Sequence, residues 1–386
     1  MRAPPRSGYR KTADPASLTL NTMTALNDRI DRLIRPELRA HRAYQVPAAG
    51  ELIKLDAMES PYPWPDWLVD AWLDRLRGVS LNRYPDPVAE ALKVQMRSVL
   101  DVPQACGMIL GNGSDELIQM IIQAVAAPGQ CIMAPEPTFV MYRQIATVCG
   151  LEWAGVALRD DFSLEAEDML AAIERHRPAV VFLAWPNNPT GNLFDREVME
   201  AIVSCAPGLV VVDEAYAPFT DESFLSAVPA YENLLLLRTL SKIGFAGLRL
   251  GVLAGLPEWL AEIEKTRLPY NISSIDQLSG VFALEHYEVF RQQASALRRH
   301  RSDLFAGMQA LPGLQAYPSE TNFILFRTLH GQAQAVYAEL MAHGILIKNL
   351  DGSAPALRDC LRVTVGKPEE NAAFLSALRR ALPAAR

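Results

Sequence analysis

The chain has 386 residues, half of them hydrophobic and 21% charged, with a formal net charge of −7. That length exceeds one ordinary core and implies about two domains of unequal size, while the acidic balance leaves no electrostatic footprint for nucleic acid or an anionic membrane. A small-molecule enzyme fits better. Cys106, Cys131, Cys149, Cys205 and Cys360 are odd in number and lack CxxC spacing, so neither a disulfide framework nor a zinc site is favoured, and they read as reduced core thiols in a cytosol. No run of about 18 apolar residues exists to span a bilayer.

Residues 1–22 carry Arg2, Arg6, Arg10 and Lys11 with Asp14 as the only acid. They hold no apolar stretch of signal-peptide length; a disordered tail, or a true start at Met23, is expected. A helix near 23–35 and the proline-rich passage 59–65 are expected to join a small domain through a segment at 23–60. From about 105 to 255 apolar runs alternate with helix-period segments. GMIL (107–110), QCIMAP (130–135), AVVFLAW (179–185), GLVVVDEA (208–215) and ENLLLLRTL (232–240) have few polar interruptions, as expected of strands buried on both faces. Between them, 115–126 and 165–176 carry apolar residues at helical spacing. Strand and helix in alternation imply an α/β fold, a mostly parallel sheet wrapped by helices. Ligands in such sheets sit at the carboxyl ends of strands. The last third reads as a smaller α+β unit: a long helix over 276–310, FILFRTL (323–329), a helix near 331–343, ILIKNL (345–350), CLRVTV (360–365) and a final helix from Glu369. The expected division is a large domain at 61–275 and a small one at 276–386.

The suggestive motifs follow the strands. GNGSDE (111–116) opens a helix, and free amides at its first turn make an anion cradle to which Ser114 adds a hydroxyl; taken alone it is also a glycine-rich turn capped by Asp115. Phe139, just past the next strand, can stack on a heteroaromatic ring or merely fill space. PNNPTG (186–191) presents the Asn188 amide, able to donate to a phenolate-like oxygen, although such loops are often only turns. In VVVDEAY (210–216), Asp213 ends an apolar strand, a poor place for an unpaired carboxylate. A protonated pyridine nitrogen would satisfy it, leaving Tyr216 to face the ring oxygen; capping the next helix is the other reading. Lys242, in RTLSKIGFAGLRLG (238–251), sits at the lip of a buried strand beside Thr239, Ser241 and Arg249. By itself it reads as an exposed strand-end lysine. In that company desolvation and cations would lower its pKa and expose a nucleophilic amine, while the hydroxyls and guanidinium suit a phosphate. An aldehyde cofactor bearing a phosphate, held as a Schiff base, is the chemistry these residues suggest. Arg362, in CLRVTVG, can grip a carboxylate or phosphate bidentately, or form a structural ion pair.

Together GNGSDE, PTFVMY (137–142), PNNPTG, DEAY, SKIGFAGLR and LRVTVG stand in the order found in fold-type-I pyridoxal-phosphate aminotransferases, and the wording most closely resembles the histidinol-phosphate aminotransferases. The likeness runs from about Tyr44 to the C-terminal helix and includes KLDAMESPY (54–62), LNRYPDP (81–87) and SETNFIL (319–325). It implies a large domain on a sheet of the seven-stranded type, with pyridoxal 5′-phosphate as cofactor. On this resemblance Lys242 is the Schiff-base lysine and proton shuttle, and Asp213 the partner of the pyridine nitrogen. Asn188 and Tyr216 contact the ring oxygen, and Phe139 stacks on the ring where tyrosine is more usual. Ser114, Asp115, Thr239, Ser241 and Arg249 match the phosphate cradle, and Tyr84 a residue reaching the phosphate of a neighbouring subunit, so a homodimer is implied. Tyr44, Asn322, Lys348 and Arg362 match substrate positions. The step from Lys242 to Arg249 is one residue shorter than in the commoner form, and Lys348 replaces a usual arginine, a point charge in place of a fork.

The activity implied is ping-pong transamination of L-histidinol phosphate with 2-oxoglutarate in histidine biosynthesis, in the cytoplasm. The competing expectations are an aromatic amino-acid aminotransferase or a threonine-phosphate decarboxylase with the same cofactor. A further one is a non-catalytic cofactor-binding regulator, for which the residues ahead of the enzyme-like region are too few to form a DNA-binding module.

Overall fold

Valine, leucine and isoleucine crowd the short segments that build the central sheet, and their β-branched or bulky side chains pack on both of its faces. The computed structural model describes residues 26–41 and 50–382. The described residues fall in two units, divided between Pro47 and Ala48. In the first, residues 26–33 are helical and Pro36–Ala40 forms a second short helix, with Arg39 and Asp31 paired at 2.7 Å. The tail expected at 1–22 and the substrate position Tyr44 lie outside the described residues.

The second unit holds two sheets. Seven strands make the larger: β2 (Gly107–Asn112), β3 (Cys131–Glu136), β4 (Glu152–Ala157), β5 (Val180–Ala184), β6 (Leu209–Asp213), β7 (Leu234–Thr239) and β8 (Leu250–Gly255). Their order is β2-β8-β7-β6-β5-β3-β4. Every strand is parallel to the next except β8, which runs antiparallel to both β2 and β7. Five of the seven coincide with the apolar runs read from sequence. All five residues of β5 and of β6 are buried. Val181, Leu183, Val210 and Val212 enter one core cluster, while Val180, Phe182, Leu209 and Val211 enter the other. This is the alternation that two-sided burial requires. Each such side chain contributes roughly 1.5–3 kcal/mol relative to exposure.

The smaller sheet has the order β1-β11-β12-β10-β9, with β1 (Ile53–Leu55), β9 (Leu314–Ala316), β10 (Phe323–Thr328), β11 (Ile345–Asn349) and β12 (Cys360–Thr364). Strand β1 pairs parallel with β11, and the other neighbours are antiparallel. Arg362 is therefore on an interior strand, directly opposite Lys348. The single helix expected over 276–310 is two, Ser274–Glu285 and Tyr287–Gln309. The break falls at His286, whose Nδ1 lies 2.9 Å from the Phe282 carbonyl. Cys106, Cys131 and Cys360 are buried as expected, but Cys149 is only partly covered and Cys205 is exposed.

Candidate active site

Because β2, β3, β5, β6 and β7 all point the same way, their carboxyl ends share one edge of the sheet. Strand β8 runs against them, so its amino end brings Arg249 to the same edge. There the chain leaves an open cleft of about 550 Å³. Ser114, Asp115, Phe139, Asn188 and Asp213 line it. So do Tyr216, Thr239, Ser241, Lys242 and Arg249, so ten of the eleven residues read from sequence as cofactor contacts meet in one place.

Asp213 ends β6, buried at 4% exposure. Its Oδ2 accepts from the Tyr142 hydroxyl at 2.6 Å and its Oδ1 from the Ala215 amide at 3.0 Å. Burial raises its pKa to about 6, and those two hydrogen bonds oppose the rise. Lys242 lies in a turn directly after β7, its ammonium 6.0 Å from the centroid of the Tyr216 ring. Burial first, and the Arg362 guanidinium second, lower its pKa to about 8. The two groups are thus displaced toward each other by the same desolvation, since it penalises the charged form of each.

Asn188 is a hinge between the two sheets. Its Nδ2 donates to the Tyr216 hydroxyl oxygen at 3.2 Å, and its Oδ1 accepts from Arg362. Burial raises the Tyr216 phenol well above its ordinary value, so it stays a donor at neutral pH. Arg362 also donates to the Asp56 carbonyl at 3.3 Å and stacks over the Phe323 ring at 4.9 Å. Lys348, across the strand pair, is partly buried, and desolvation followed by the Arg362 charge lowers its pKa.

At the opposite end of the cleft lies an anion-shaped corner. The helix Ser114–Ala124 begins there behind Gly113 at φ +81°, with its first amides unpaired within the helix. A Cβ on Gly113 would stand 2.7 Å from Arg249 Nη2, and one on Gly251 would stand 2.8 Å from the Ser114 nitrogen. Bare backbone is required at both. Thr239 Oγ1 donates to Ser241 Oγ at 2.9 Å, and Arg249 pairs with Asp115 at 3.2 Å. The shorter Lys242–Arg249 step is accommodated by two single-turn helices and a left-handed Arg249 at φ +49°.

Four of the described residues read as site residues do not line the cleft, and one of them, Arg362, reaches it through its hydrogen bond to Asn188. Tyr84 is 80% exposed and stacks on Tyr270, centroids 4.4 Å apart. Asn322 is fully buried, its Nδ2 donating to the Met58 carbonyl at 2.9 Å, and neither it nor Lys348 is among the residues lining the cleft. Sequence reasoning passed over Tyr142 and Met58, which do line it. For Tyr142 a signal existed: it sits three residues after Phe139 on the apolar side of a helix, where a phenol needs a partner for its hydroxyl.

Fold and site define a class of enzyme: the model of the aminotransferase class I and II family matches residues 51–378, and the chain belongs to that family. Within it, the histidinol-phosphate aminotransferase 2 of Nitrosococcus oceani is 56% identical over 352 residues, 91% of this chain and 98% of the relative. The histidinol-phosphate aminotransferase of Chromobacterium violaceum is 50% identical over 351 residues, with the same coverage of each. Among solved structures, the histidinol-phosphate aminotransferase of Sinorhizobium meliloti in complex with pyridoxal-5′-phosphate shares the fold, with a TM-score of 0.81 at 23% identity over 90% of this chain and 97% of that one.

Proposed function

We propose that this chain transfers the amino group of L-histidinol phosphate to 2-oxoglutarate, giving imidazole-acetol phosphate and glutamate, with pyridoxal 5′-phosphate as cofactor. The observation that carries the reading is the joining, in one cleft, of a lysine whose pKa is lowered to about 8 and a buried carboxylate raised to about 6. The identity of about half with relatives named histidinol-phosphate aminotransferase supports the choice of substrate. The chain's residues fit the cofactor. The glycine-lined helix start suits its phosphate, the desolvated Asp213 forms no direct ion pair among the described residues and would gain one from a protonated pyridine, and Lys242 offers an amine for its aldehyde.

When bound, pyridoxal phosphate supplies an aldehyde that takes up amino groups and a ring that accepts the electron pair left as the substrate's Cα proton departs. Lys242 would be the base that takes the substrate's Cα proton and delivers it to the carbon of the cofactor's aldehyde group, across the intervening nitrogen, a task for which a pKa near the working pH is best suited. Asp213 keeps the ring nitrogen protonated, and the Tyr142 hydroxyl keeps Asp213 ionised. Tyr216 and Asn188 donate to the ring oxygen. Arg362 binds the anionic end of each substrate in turn, the phosphate of the donor and a carboxylate of 2-oxoglutarate, aided by the charge on Lys348.

The reading includes a homodimer in the cytosol, working in histidine biosynthesis. Tyr84 at 80% and Tyr270 at 41% exposure stack on each other, and Leu81 and Leu268, near them in sequence, are 74% and 72% exposed; through this exposed aromatic pair Tyr84 would reach a second copy's cleft. The test is kcat/KM for L-histidinol phosphate against phenylalanine and other amino donors with 2-oxoglutarate. L-histidinol phosphate is expected to lead, and a clear preference for phenylalanine would replace this reading with an aromatic aminotransferase.

A further inference from the structure

We infer that Met58 is a specificity-determining residue, its thioether forming an apolar wall against the flat ring of the amino donor. This rests on the transamination reading above and goes beyond it, since none of the motifs assigned a role to this position. Met58 lines the cleft beside Asn188 and Tyr216. Its backbone is left-handed, at φ +54°, a conformation uphill for any residue with a Cβ and natural for glycine or asparagine.

Two distant segments impose that conformation through the main chain alone. The Met58 amide donates to Thr364 Oγ1 at 3.0 Å, and its carbonyl accepts from Asn322 Nδ2 at 2.9 Å. On the outer side Lys54 pairs with both Asp56 and Glu59, closing the same short loop. The methionine side chain, 9% exposed, joins the hydrophobic core on one side and lines the cleft on the other. Glycine would satisfy both hydrogen bonds without strain, so neither bond requires a side chain here, and the thioether is left to pack against the core and to face the cleft. Backbone strain of this kind gathers where a ligand is held. Methionine is unbranched and polarisable, with a sulfur that makes favourable contacts with aromatic rings. An imidazole ring gains from such a wall. Glutamate, which presents carboxylates and methylenes, gains little.

The experiment compares holoenzyme with Met58→Gly and Met58→Leu in single-turnover half-reactions, using L-histidinol phosphate, phenylalanine and glutamate as separate donors. Met58→Gly suits the left-handed turn but removes a buried side chain, so urea denaturation of each variant is measured alongside; Met58→Asn, which also tolerates that turn and leaves less of a void, repeats the test. Expected is a loss of at least about tenfold in the rate constant for ring-bearing donors, with glutamate and cofactor affinity within about twofold and Met58→Leu near wild type. An equal loss for all three donors, or no loss for any, overturns the proposal. Its failure is distinct from failure of the functional reading. That reading fails if the unaltered enzyme rejects L-histidinol phosphate, whereas the role of Met58 is still read from the ratio of phenylalanine to glutamate.

Discussion

The same burial destabilises the charged forms of both Asp213 and Lys242. For Asp213 the consequence can be followed with pH. Its folded pKa, about 6, lies above the ordinary carboxylate value of 3.8, so between those limits the folded protein binds more protons than the unfolded one. Stability of the cofactor-free protein therefore falls as pH rises from 4 to 6 and stays reduced above it. Asp213→Asn removes that penalty. In urea denaturation the variant should exceed the cofactor-free parent by on the order of 2 kcal/mol at pH 7, with the gap closing near pH 4, and transamination should be lost. Tyr142→Phe deletes only the hydroxyl that Asp213 accepts at 2.6 Å. The carboxyl pKa should then rise, and cofactor affinity should weaken by on the order of tenfold at pH 6 and less at pH 8, since a hydrogen bond to a charged group is worth about 1.5–3 kcal/mol. Titration of cofactor binding by absorbance across that range checks it. The roles proposed for Lys242 and Asp213 were legible because a charged residue at the end of an apolar strand is conspicuous. Tyr142 was not, because a tyrosine on a helix face resembles any core aromatic until its partner is known. The left-handed turn at Met58 leaves no mark in the residue itself.

At the scale of elements, the strands found from sequence are those buried on both faces, where the apolar run is continuous. Strand β4 is an edge strand whose burial alternates through Glu152–Ala157, and the glutamate at its start and Gly155 within it hid it. Strand β8 was hidden by glycines at both ends, and those glycines have a purpose. A Cβ on Gly251 would meet the Gly113 carbonyl carbon at 2.7 Å, so β8 can pass beneath the helix start only without a side chain. Gly251→Ala should push that start outward, costing about 1–3 kcal/mol in urea denaturation and weakening cofactor affinity more than affinity for either substrate. The antiparallel direction of β8 is what places Arg249 beside the start of the Ser114–Ala124 helix, the corner proposed for the phosphate, a fact of topology that no local pattern encodes.

For the whole molecule, the cleft holds Asp213 and Lys242 from the seven-stranded sheet, and its Asn188 is hydrogen-bonded to Arg362 of the five-stranded one. Length and the change in pattern after residue 275 indicated two kinds of architecture. That Asn322 would support the Met58 loop, with Lys348 set opposite Arg362, depends on strand register, which sequence alone leaves open. Tyr84 stands away from its own cleft, and sedimentation should report a dimer in solution; a monomer that retains full activity would refute the role given to Tyr84. The central claim, that the Lys242 amine is the covalent attachment point and proton carrier, has a direct test: borohydride reduction of the protein loaded with pyridoxal phosphate, followed by peptide mapping. The label is expected on Lys242, with Lys242→Ala unlabelled and inactive. A label on another residue, or full transamination by Lys242→Ala, would contradict the account.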